Sequence, residues 1–129
     1  MHMIRTRRQP RHQLTLFTCS GKVLPHEIEN KIKEFYDKQP TPNVVWDLSD
    51  ADISGMSAVD VRQLAERTKQ LAHSRKGEKT AIVASVDMPF GLARMYQTFA
   101  ELAGQESQVE VFRSLEEALA WVRSTHKSS

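Results

Sequence analysis

The strongest constraint on this chain is a regular alternation: four strand-like runs, each followed by a segment with the apolar spacing of a helix. Gln13 to Cys19 alternates as a half-buried strand, and Ser20-Gly21 reads as its end. Pro25 suits the first turn of a helix with Ile28, Ile32, Phe35 and Tyr36 on one face, stopped by Pro40 and Pro42. Val44 to Leu48 is short and almost wholly apolar, the pattern of a strand buried on both faces. Val61, Leu64, Ala65, Thr68, Leu71 and Ala72 then recur at helical spacing, before a polar loop from Ser74 to Lys79. Thr80 to Val86 reads as a third strand. Asp87 reads as the cap of a helix carrying Leu92, Met95, Tyr96, Phe99 and Ala103, with Gly104 as its stop. Val109 to Phe112 is the last strand. Ser114 and Glu117 open a final helix with Leu115, Ala118, Leu119 and Val122 inward.

An order of this kind predicts an α/β fold with mostly parallel strands joined by right-handed helical crossovers. The expected sheet has four or five strands with about four helices, and Met3 to Arg8 is the candidate antiparallel edge strand. The expected organisation is a basic N-terminal segment (1–12), one α/β domain (13–124) and a polar tail (125–129). If the helices favour one face of the sheet, the other face is left for a partner, and a homodimer is the expected consequence.

Composition narrows the class. A length of 129 residues with 40% hydrophobic and 26% charged content is ordinary for one globular domain. No apolar run approaches the ~20 residues of a membrane span, and no signal-peptide core follows the start. A single cysteine, Cys19, excludes an internal disulfide and fits a reducing compartment, so a bacterial cytoplasmic location is expected. Arg5, Arg7, Arg8 and Arg11 make the first twelve residues strongly basic. Removing those four from the 18 basic residues leaves 14 against 16 acidic ones. Without recognition aromatics or zinc-ligand spacing, the basic arm reads as a solvated leader, and nucleic acid is not an expected partner. There is no Gly-rich phosphate loop, nucleophile elbow or zincin motif, and the five histidines are scattered. Neither catalysis nor a cofactor is expected.

Two loci remain as candidate sites, both at strand ends, where ligand and regulatory sites of α/β domains collect. The first is the acidic Ser/Gly turn leading to the helix at Val61. Ser57 and Asp60 have the spacing of a capping box, and Ser54-Gly55 has the composition of a turn. Asp52, Ile53, Met56, Ser57, Val59 and Asp60 form the expected protein-partner face. Asp47, Asp50 and Asp52 lack calcium-loop spacing and read as turn formers. The second locus is Ser85 to Arg94, where Asp87, Phe90 and Arg94 are candidates for holding a small anion or a lipid headgroup. There Phe90, Met95, Tyr96 and Phe99 are the expected lining of an apolar pocket.

Three motifs carry a resemblance: Trp46-Asp-Leu in the second long strand, Asp87 to Met95 at a helix start, and Glu117-Ala-Leu-Ala-Trp in the last helix. Together with the element order, they make residues 13 to 123 resemble the STAS domain. That domain is shared by anti-sigma-factor antagonists (SpoIIAA-like proteins) and the cytoplasmic tails of sulfate transporters. More closely, the chain looks like bacterial STAS-like proteins known only by that fold. The resemblance implies a regulatory or protein-interaction module rather than an enzyme. In the antagonists a kinase phosphorylates a serine within an Asp-Ser-Ser-Gly-type turn. Here the turn reads Asp52-Ile-Ser-Gly-Met-Ser. Ser54 resembles the phosphoacceptor by sequence, and Ser57 resembles it by position at the helix start.

Overall fold

The computed structural model describes residues 3–38, 40–71, 75, 78–105 and 107–124. Its elements run β1 (Met3–Gln9), β2 (Leu14–Lys22), α1 (Pro25–Asp37), β3 (Asn43–Asp52), α2 (Ala58–Leu71), β4 (Lys79–Val83), α3 (Asp87–Ala103), β5 (Gln108–Phe112) and α4 (Leu115–Arg123). The five strands form one sheet in sequential order. β1 pairs antiparallel with β2, and every later pair is parallel. The edge strand expected from Met3 to Arg8 is therefore present, and the expected tail lies outside the described residues.

Crossovers of one hand, stepping in one direction along a sheet, place their helices on one face. Accordingly α1 packs on α2, and α2 on α3, in a single layer. Beneath them lies a core of Cys19, Leu48, Ile82 and Val109 from the strands, with Ala65, Ala93 and Ala100 from the helices. The small helical residues let α2 and α3 approach the sheet closely. α4 returns to the opposite face over β3, β4 and β5, where Ala118 and Val122 cover Leu14, Val45, Ala81 and Val83. Three helices against one leave the β1 side of that second face open, with Arg5 and Arg7 exposed there.

Several boundaries differ from the sequence reading, each for a non-local reason. Ser20-Gly21 does not end β2. A register shift between Thr18 and Ser20 and a positive φ at Gly21 absorb the irregularity, and the ladder continues to Lys22 opposite Asp52. That extra pairing carries β3 four residues beyond Leu48, so most of the acidic turn is strand. β4 ends at Val83, leaving Ala84 to Val86 as connection. The segment read as a polar loop contains Arg75, which is only 2% exposed.

Candidate functional site

Parallel strands β3 and β4 each lead into a turn and a helix at the carboxyl edge of the sheet; their pairing ends at Asp47 opposite Val83, and β3 continues to Asp52 beside β2. The first begins at Asp52, whose carbonyl accepts the Val23 N–H at 3.0 Å and ties the turn to the end of β2. Asp52 Oδ1 accepts the Ser54 N–H at 3.0 Å and the Ser54 hydroxyl at 2.6 Å. This is an Asx turn, formed because a short carboxylate reaches backbone two residues on. The hydroxyl bond, then the backbone bond, holds the Asp52 carboxyl below its ordinary range. Asp47 Oδ1 accepts the Ser49 N–H at 3.0 Å. Among the described residues no three potential ligands come together to hold a metal ion.

Ser57 makes a capping box with Asp60. Asp60 Oδ2 accepts the Ser57 N–H at 2.9 Å, and the Ser57 Oγ accepts the Asp60 N–H at 3.2 Å. The two serines are thus differently placed. Ser57 is engaged at both ends by the helix it starts, whereas Ser54 stands exposed at the tip of the turn with its hydroxyl on one carboxylate. The expected partner face divides. Val59 is 62% exposed, Met56 is half-buried, and Ile53 is 3% exposed in the core, where no partner can reach it. Ile53 turns inward because the one-residue step out of β3 directs it under α2.

The second turn joins β4 to α3. Val86, not Asp87, occupies the position before the helix, and no side chain caps it. Asp87 instead receives Arg113 Nη1 at 2.8 Å, and the Arg113 guanidinium lies 3.9 Å over the Phe90 ring. The cation beside Phe90 is therefore Arg113, while Arg94 stands exposed on α3. Sequence reasoning missed Arg113 because its partners are 23 and 26 residues away; only the β4–β5 pairing brings them together. Val86 and Met88 are 59% and 47% exposed at this turn.

Behind both turns lies an apolar cavity of about 80 Å³ between the sheet and the three-helix layer. Its walls include Trp46, Leu48, Ile53, Met56, Leu92 and Tyr96. Of the expected pocket residues only Tyr96 lines it; Phe90, Met95 and Phe99 do not. Burial pushes the Tyr96 phenol up to about 12. Cys19, in the core beside the cavity layer, is likewise pushed up to about 12, by burial first and by the Asp47 carboxylate second. Both groups are neutral at physiological pH, and the thiol is a packing residue rather than a nucleophile.

Sequential strand order, an antiparallel first strand, three helices on one face and a serine-bearing turn after β3 make up this α/β fold, and the fold is SpoIIAA-like. Solved structures agree. The chain is similar to an anti-sigma factor antagonist from Mycobacterium paratuberculosis, with a TM-score of 0.64 and 18% identity over 96% of each chain. It is also similar to an uncharacterised DUF3478-family protein with a SpoIIAA-like fold from Shewanella loihica, with a TM-score of 0.58 and 18% identity over 95% of each chain. No protein-family model and no curated protein matches the chain. No helix among the described residues is long and apolar enough to cross a membrane.

Proposed function

We propose that this protein is a non-enzymatic regulatory module that docks a protein partner at the carboxyl edge of its sheet, with Ser54 as the phosphoacceptor that switches docking. The observation that carries the reading is that exposed apolar side chains and an exposed hydroxyl share the carboxyl edge of the sheet. Val59, Val86 and Met88 are three of the five large apolar residues that stand exposed in the described structure. Val59 lies in the first turn of α2, Val86 and Met88 lie at the start of α3, and Ser54 lies in the turn that leads to α2. Apolar groups gathered at one edge mark a contact surface more than scattered ones do. A phosphate on Ser54 removes the hydroxyl donor from Asp52 and sets about −2 of charge beside that carboxylate and the apolar rim. Repulsion and desolvation then oppose docking. The fold shared with an anti-sigma factor antagonist supports the same assignment.

The test is affinity capture from the source cells with three baits: the wild type, Val59→Glu/Met88→Glu, and Ser54→Asp. Specific partners of the wild type are expected to be lost from the first variant and reduced in the second. Phosphosite mapping of the native protein is expected to find phosphate on Ser54 and not on Ser57. Recovery of the same partners by all three folded baits would overturn the reading.

The cavity supports a second reading, a small-ligand site. At about 80 Å³ it is roughly half the ~150 Å³ that accommodates benzene in an engineered core, so an acyl chain does not fit within it as it stands. A compact apolar molecule retained in native mass spectrometry would favour this reading, and a clean apo mass would remove it.

A further inference from the structure

The carboxyl-edge site makes no use of β1, the strand that carries the chain's densest positive charge. Residues 3 to 12 contain Arg5, Arg7, Arg8 and Arg11 and no acid. In the antiparallel ladder Arg5 stands opposite Thr18, and Arg7 opposite Leu16. Strand alternation puts both arginines on the face of Leu16, which packs into the α4-side core, while Ile4 faces the other core with Cys19. α4 lies over β3, β4 and β5, and Arg5 and Arg7 project exposed from the uncovered side of that face. They are about 7 Å apart, the repeat of one strand face. Arg5 Nε meets the Met3 sulfur at 3.2 Å, and neither Arg5, Arg7 nor Arg11 has a carboxylate partner among the described residues.

β1 is also the end of the sheet, and no strand among the described residues pairs with its outer backbone edge. Such an edge is a template for an added strand. Charge on an edge ordinarily discourages pairing, but that holds for partners of the same sign. An incoming strand with Glu or Asp at alternate positions sets carboxylates ~5 Å across from Arg5 and Arg7, where each guanidinium can fork onto one. We propose that β1 docks an extended acidic segment of a partner protein as a sixth strand, with Arg5 and Arg7 reading its alternating carboxylates. A second copy of β1 would set arginine against arginine, which is unfavourable across strands. A nucleic acid would use the charge but not the backbone edge. Beside the two arginines β2 sets Leu16 and Thr18, neither of which offers a ring for a base to stack on.

The experiment uses fluorescence anisotropy on the full chain with four labelled probes. These are a short peptide alternating glutamate with valine, its lysine counterpart, a backbone N-methylated form of the glutamate peptide, and an oligothymidylate. The glutamate peptide is expected to bind and the other three to bind weakly or not at all. Arg5→Gln/Arg7→Gln is expected to weaken the glutamate peptide about tenfold while leaving the circular dichroism and thermal midpoint unchanged. Equal binding of the N-methylated peptide would overturn strand addition. Equal or tighter binding of the oligothymidylate would overturn the choice of partner. An unchanged affinity in the folded double variant, or no binding of the glutamate peptide, would overturn the proposal as a whole.

Discussion

Arg75 brings a full charge into the core with no carboxylate bonded to it among the described residues. Its Nε donates to the Thr41 carbonyl at 3.0 Å, and its Nη1 donates to the Thr80 hydroxyl at 2.9 Å and the Tyr36 hydroxyl at 3.2 Å. Its Nη2 donates to the carbonyls of Pro42 at 2.8 Å and Lys79 at 2.6 Å. Five oxygens from the end of α1 and the starts of β3 and β4 are satisfied by one planar fork, which a lysine ammonium cannot reproduce. Arg75→Ala is expected to cost about 3 kcal/mol in urea denaturation, because buried acceptors lose their donors. Arg75→Lys is expected to recover less than half of that loss. Nothing local in Ser-Arg-Lys-Gly announces this role, since the tyrosine and threonine it meets are 39 and 34 residues back along the chain. From sequence Cys19 reads only as the end of a half-buried strand, and its proton chemistry is not legible there. Its thiol titrates at 9.0 when unfolded and is pushed up to about 12 in the fold. The stability this contributes is fully present below pH 9 and is lost as pH rises through 12. Tyr96, raised from 10.0 to about 12, adds to the same alkaline decline. The denaturant midpoint is therefore expected to fall across this window, and less steeply in Cys19→Val. An identical slope in the variant would show that the thiol takes no part.

At the scale of elements, what the sequence discloses is what closes within a few residues. The box of Ser57 and Asp60, the Ser114 Oγ accepting the Glu117 N–H at 3.2 Å, and the left-handed Gly104 ending α3 at φ 83° are all expected from spacing alone. The lengths of β2 and β3 are not, because the pairing of Gly21 with Ala51 and of Lys22 with Asp52 is a property of two strands together. The same distinction separates the two serines. Ser57→Ala removes a helix cap and is expected to cost about 1 kcal/mol. Ser54→Ala removes a bond on an exposed turn and is expected to stay within about 0.5 kcal/mol. Thermal midpoints of the two variants check the pair. A Ser54→Ala loss as large as that of Ser57→Ala would make Ser54 a structural residue and weaken its assignment as a switch.

For the molecule as a whole, the decisive feature is how the three-helix layer sits on the sheet. α1 has no fully buried residue; it is held by Phe35 edge-on to Phe17 at 6.0 Å and by Glu29 bonded to Arg67 of α2. Large side chains, Trp46 and Ile82 below, Ile28 and Leu92 above, keep the layers apart around Ala93, and the cavity is the space that remains. The sequence pattern puts Ile28 and Leu92 on the apolar faces of their helices and Trp46 in a strand buried on both sides. It cannot show that they fail to fill the space between the layers, since that depends on how three helices tilt against one another. Val61 borders the cavity and is 3% exposed, so Val61→Ile extends one methylene into that space. If the space is empty in solution, the added group is buried without displacing anything, and the variant is expected to be more stable by about 0.8 kcal/mol in urea denaturation. A loss of stability would mean that the cavity is already occupied or closes in solution, because extra volume in a filled core costs more than it contributes. Native mass spectrometry of the wild type distinguishes those two causes: a bound mass that Val61→Ile releases identifies an occupant, and its absence identifies closure.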